Sequence, residues 1–121
     1  MILAVALVLA AQPDNPRWIE HYRDGTQAFA FDAATLRVDG DRRIIWRRIS
    51  HLAPLPNGAT ASFFNVEIDC RARSSTILAA LQRDQSDRVI QEDTYPAPRG
   101  EVVAAGTVGE QLLEMMCSPR P

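Results

Sequence analysis

The sequence predicts an α+β fold, mainly β: about six antiparallel strands in one sheet, with a C-terminal helix packed on it through a disulfide. Three observations carry this. Turn signals punctuate the chain with no long helical spacers between them, which favours an antiparallel meander over βαβ units. The stretch "ASFFNVEIDC" (61–70) alternates as a strand with one buried face does. The closing "GTVGEQLLEMMCSPRP" has the spacing of a short amphipathic helix. A chain of 121 residues is one domain by size and holds one modest core.

The elements follow in order. "RWIEHYR" (17–23) and "TQAFAF" (26–31) are strands joined across "DG", a tight hairpin signal, with His21 and Tyr22 read as partly exposed surface. "ATLRVDGDRRIIWRRI" (34–49) holds a short strand, the turn "DGD" and a longer strand. In 61–70, Phe64, Val66, Ile68 and Cys70 share one face; Asn65, Glu67 and Asp69 take the other, with Phe63 an exception. "ARSSTILAALQ" (72–82) reads as returning antiparallel, although its leucines and alanines also fit a helix, and "RVIQED" (88–93) is a short sixth candidate. Thr107 and Glu110 have capping-box spacing, each side chain satisfying a free N–H of the other. Val108, Leu112 and Met116 then form an apolar stripe flanked by Leu113 and Cys117, and Pro119 stops the helix. The stretches 51–60 and 94–103 are loops bearing proline and glycine, the first reading as a projecting loop.

Composition narrows the function classes. All 13 basic residues are arginine and the formal net charge is −2, which gives no field to gather nucleic acid or anionic lipid. The arginine-only set reads as a genome-composition bias. The opening "MILAVALVLAAQPDNP" resembles a secretory signal without the usual positive n-region, with cleavage expected after Ala10 or Ala11. Its apolar run is too short to cross a bilayer, which takes about 20 residues. The expected organisation is a signal peptide, 1–11, and a single domain, 12–121. A lipoprotein would place cysteine after "LVLAA"; Gln12 stands there, so the expected mature chain carries no lipid and is periplasmic or secreted.

In an exported chain two cysteines suggest a disulfide, and Cys70 with Cys117 is the single pairing available. Closing that loop contributes roughly 4 kcal/mol by the chain-entropy argument. It would pin a terminal helix too short to be stable alone. A metal site is disfavoured: His21 and His51 lie far from each other and from both cysteines in the sequence, with no ligand spacing.

In this order the pieces resemble the surface-adhesin protein E family of exported bacterial proteins. The matching features are Trp18 opening the first strand, the aromatic strand from Phe29 to Asp32, and the hairpin "TLRVDGDRRIIWRR". After them come the strand end "IDC", the basic "RARSSTIL" and the terminal "GTVGEQLLEMMC", so the resemblance runs over residues 17–117. It implies a six-stranded antiparallel sheet, a packed C-terminal helix and a Cys70–Cys117 disulfide. The family is named after a surface lipoprotein that binds host matrix and serum proteins. This chain differs in lacking the lipid-attachment cysteine and any lysine-rich loop.

Other constellations read as structural. Arg42, Arg43, Arg47 and Arg48 around Trp46 fall on both faces of a strand, so they read as solvated arginines and not as a nucleic-acid patch. Ser50 and His51 are adjacent and face apart, a poor nucleophile–base pair, and no G-x-S-x-G turn is present. "AAGTVGE" starts a helix and is a weak anion site. Glu67 and Asp69 share a face, expected to pair with arginines such as Arg71 or Arg73. The expectation is an exported, non-catalytic binding or structural module without cofactor or metal. It would contact envelope or host proteins through an exposed strand edge or the 51–60 loop, and an open edge would also suit a homodimer. The alternative is a small periplasmic enzyme using Glu67 and Asp69.

Overall fold

The computed structural model describes residues 17–94 and 100–118. The signal-like segment and part of the 94–103 loop lie outside the described residues. Within them, the chain runs β1 (Trp18–Arg23), β2 (Gln27–Asp32), a 3-10 turn (Ala33–Thr35), β3 (Arg37–Asp39), β4 (Arg42–His51) and β5 (Ala59–Asp69). It continues through β6 (Ser74–Asp84), β7 (Val89–Thr94) and β8 (Glu101–Val102) to the helix α1 (Val108–Cys117).

All pairings are antiparallel, in the order β1-β2-β4-β5-β6-β7. The sheet has eight strands but is six positions wide. β2 and β3 share one flank of β4, pairing Phe31 with Arg47 and Arg37 with Ile44. β7 and β8 share the outer flank of β6 in the same way. The predicted antiparallel sheet with a C-terminal helix is therefore what forms; β8, inside a stretch read as loop, is the addition.

Local chemistry sets the turns. Asp24 Oδ1 accepts the N–H groups of Thr26 at 2.8 Å and Gln27 at 2.9 Å, which closes the β1–β2 hairpin. Gly40 supplies the positive φ, 61°, that turns β3 into β4. Strand β5 ends at Asp69, one residue earlier than expected, because Asp69 Oδ1 accepts the N–H groups of Arg71 and Ala72, both at 3.0 Å. Cys70 thus lies in the turn and not on the strand.

One face of the sheet carries the core. Phe31, Ile45, Val66 and Ile68 project from β2, β4 and β5 against Leu112 and Leu113 of α1, every one of them almost wholly buried. Phe64, Val103, Met116 and Cys117 pack at its margin. Thr107 Oγ1 accepts from Glu110 N–H at 3.1 Å, while Glu110 Oε1 reaches back to the N–H of Gly106 at 2.9 Å, not to that of Thr107. Cys70 and Cys117 form a disulfide with Cα atoms 5.7 Å apart, fixing the last helical turn beside the end of β5.

A second attachment comes from a side chain that the sequence presented as solvated. Arg43 is only 5% exposed. Its Nε donates to the Met116 carbonyl at 3.1 Å, and its Nη1 donates to the carbonyls of Gly40 at 2.8 Å and Arg42 at 3.0 Å. A cation at a helix C-terminus meets the negative end of the helix dipole, and here it also satisfies a carbonyl that the helix leaves free. Arg73, at the start of the turn's far side, bonds Glu114 at 2.8 Å and so ties the same helix from outside.

Two outcomes test this attachment. Replacing both cysteines by serine should cost about 2–5 kcal/mol in urea titration. Arg43→Ala should cost about 1–3 kcal/mol by leaving a buried carbonyl unbonded, whereas Arg42→Ala, which breaks an exposed pair, should cost less than about 1 kcal/mol.

Candidate binding surface

The residues proposed for catalysis do not converge. Glu67 receives Arg42 Nη1 at 3.1 Å across the β4–β5 ladder, and Asp69 is committed to the amides of its own turn. The expected partners of these carboxylates are thus corrected: Arg71 offers Asp69 a backbone N–H, and Arg73 turns away to Glu110 and Glu114. A cavity of about 260 Å³ lies elsewhere, lined by Phe64, Ala80, Leu81, Gln82, Gln91 and Asp93. It is below the usual size for small-molecule sites, roughly 300–1,000 Å³.

His51 does meet a serine, but from the neighbouring strand. His51 Nε2 lies 2.8 Å from Oγ of buried Ser62, which also accepts from Gln82 Nε2 at 3.1 Å. Gln82 in turn accepts from Asn57 Nδ2 at 2.7 Å, and Asn57 Oδ1 accepts the Ala59 N–H at 3.0 Å. This chain of bonds pins the β4–β5 loop, residues 52–58, to the sheet, so the loop is not the free projection that its composition suggested. Among the described residues no group of three or more His, Cys, Asp or Glu side chains is placed to hold a metal ion.

His21 is likewise not simple surface. It is the extra residue of a bulge, since Glu20 pairs with Ala30 and Tyr22 with Phe29. Its ring sits 5.8 Å from that of Phe31 and faces Gln111 of α1, with Nδ1···Oε1 at 3.4 Å, while the Gln111 amide donates to the His21 carbonyl at 3.0 Å. Burial is the main cause that pushes its pKa down; Gln111 and Glu20 oppose, and Arg47 adds to the lowering.

The opposite face of the sheet carries a different array. Registers pair Ala30 with Arg48, Arg48 with Phe63 and Phe63 with Leu81, so these side chains share the face turned away from α1. Trp18 reaches from β1 to pack edge-on against Phe63, with ring centroids 5.8 Å apart. The Arg48 guanidinium stacks 4.7 Å from the Trp18 ring, and that of Arg83 lies 5.7 Å from the Phe63 ring. Beneath them Ala28 and Ala30 are buried, small residues that let the tryptophan lie low across β2. The result is a ladder, Arg48–Trp18–Phe63–Arg83, spanning β1 to β6.

Charges around the ladder are unevenly paired. Glu20 gives both oxygens to Arg23 at 2.9 Å, and buried Asp32 takes Arg17 at 2.7 Å. Arg48 Nε is sealed from solvent without a hydrogen-bond partner among the described residues, as is Arg47 Nε on the helix face. Burial pushes both guanidinium pKa values down, with Glu20 partly opposing at Arg48. Arg83 has its salt-bridge contact, to Asp87, at 3.9 Å. The reading of solvated arginines along β4 is therefore corrected: Arg43 is buried, and Arg47 and Arg48 are half-buried. The sequence signals for the ladder were Phe63, the residue that broke the strand alternation, and Trp18 at the mouth of β1.

Among the described residues the protein is an antiparallel sheet with one face closed by a disulfide-linked terminal helix and the other uncovered. The family model described as Surface-adhesin protein E matches residues 18–118, and the chain belongs to that family. In fold it is similar to the crystal structure of Haemophilus influenzae protein E, with a TM-score of 0.62 at 10% identity over 85% of this chain and 88% of that one. No curated protein matches it in sequence.

The histidines give a test in solution. His21 and His51 both have pKa values lowered by burial, so the unfolded chain binds more protons just below the ordinary value near 6.5. Their contribution to stability is complete above about pH 6.5 and is lost as pH falls through the depressed folded values. Urea midpoints should therefore start to decline below about pH 6.5, and His21→Gln should flatten that limb.

Proposed function

We propose that this chain is an exported, unlipidated, non-catalytic module that contacts other proteins at the cell envelope, adhesin-like in its mode of action. The observation that carries this reading is the open face: α1 closes one side of the sheet, and the other presents aromatic and arginine side chains, the residue types in which protein-contact hot spots are enriched. Membership of the surface-adhesin protein E family supports it. The engagement of Glu67 by Arg42 and of Asp69 by turn amides weighs against the small-enzyme alternative.

The same geometry favours the open face over the two contact sites expected from the sequence. Both margins of the sheet are blunted. β1 carries the His21 bulge with Glu20 and Arg23, and β7 carries a bulge at Ile90 followed by Glu92 and Asp93. Bulges and charges of this kind discourage strand addition, including the edge-to-edge homodimer. The 52–58 loop is tied down through Asn57.

Protease shaving of intact cells, followed by intact-mass analysis of the retained protein, tests the reading. Removal of the domain from unbroken cells, a mature N-terminus near Gln12 and a mass two protons short of the dithiol are expected. Protection until the outer membrane is opened would end the surface-adhesin form of the proposal. A retained Met1 with free thiols would end the export argument.

A further inference from the structure

We infer that the Arg48–Trp18–Phe63–Arg83 ladder is a site for an acidic polypeptide segment, one that presents Asp or Glu side chains beside aromatic or aliphatic ones. This rests on the open-face reading above and adds the chemistry of the partner. The argument is charge complementarity. A guanidinium makes its strongest hydrogen bonds to a carboxylate, and five exposed arginines of this chain have one close by. Arg17, Arg23, Arg42, Arg73 and Arg88 each have a carboxylate within 3.2 Å.

Arg48 differs from them. Its nearest candidate, Glu20, is already held by Arg23 through both oxygens. Its own Nε–H is sealed off and has no partner among the described residues. What steadies it instead is the Trp18 ring at 4.7 Å, an interaction that holds the plane of the guanidinium while its Nη groups, unlike Nε, are not sealed from a carboxylate. Arg83 stacks likewise on Phe63 at 5.7 Å, fixed by a bond from Nη1 to the Asp87 carbonyl at 3.1 Å, with the Asp87 carboxylate no nearer than 3.9 Å. Two oriented cations are thus set on either side of an aromatic pair. Carboxylates of an extended segment would take the guanidinium edges, and the apolar residues between them would cover Trp18 and Phe63. Arg47 Nε also lacks a partner among the described residues, but it lies on the face that α1 occupies, so the two neighbouring arginines do not form one site.

The experiment is NMR titration of the oxidised mature chain with three probes: an alternating Glu/Tyr peptide, its Lys/Tyr counterpart and a heparin oligosaccharide. The Arg48 Nε–H and the Trp18 indole N–H are the reporters. The Glu/Tyr peptide should shift both, more weakly as salt rises, and the Lys/Tyr peptide should shift neither. Arg48→Ala should weaken the peptide about tenfold or more. Arg83→Ala, at the other end of the ladder, serves as a second variant and should weaken it severalfold with the α1 signals unchanged. Shifts from heparin or the basic peptide, with none from the acidic one, would overturn the acidic-segment assignment and leave the open face standing as a contact surface. Shifts confined to β7 or the 52–58 loop would overturn both.

Discussion

The attachment of α1 to a single face of the sheet is the constraint on which the rest of the structure depends. A helix of ten residues is too short to persist alone in water. Here it is held at three levels. Leu112 and Leu113 bury themselves on Ile45, Val66 and Ile68; the disulfide joins Cys117 to the end of β5; and Arg43 binds the last turn from β4. With that face closed, the described residues form one core and leave the other face of the sheet uncovered.

Arginine does three separate jobs on the four positions around Trp46, decided by strand alternation. Arg42 points outward and makes an exposed ion pair with Glu67. Arg43 points inward and becomes part of the helix attachment. Arg47 and Arg48 are neighbours in sequence yet stack on aromatic rings of opposite faces, Phe29 and Trp18. A basic run that is uniform as text is therefore three environments in space. What distinguishes them physically is whether an acceptor lies within reach of the guanidinium once its stem is buried.

Much of the fold was legible in the sequence, because period and turn chemistry are local. Alternation over 61–70 located β5, the "DG" turns located two reversals, and Leu112 with Leu113 declared the helix face. The parts that were not legible depend on register. Nothing in "ISH" says that His51 will face Ser62 instead of Ser50; that follows from the β4–β5 and β5–β6 pairings together. Nor does the first strand reveal that a bulge turns His21 under α1. The ladder is the clearest case: Phe63 was visible as an irregularity, and only the pairing of Arg48 with Phe63 and the reach of Trp18 turn that irregularity into a surface.

Amide hydrogen exchange, compared between the oxidised and reduced protein, tests the central claim most directly. If the staple governs the helix, reduction should lower protection in Glu110–Cys117 well below that of Ala59–Asp69 and Ser74–Asp84, because a three-turn helix released at its end opens as a local unit before the sheet does. Unchanged protection in the helix would contradict the account, since the core and Arg43 would then suffice. Equal loss in helix and sheet would contradict it as well, showing that the two open as one.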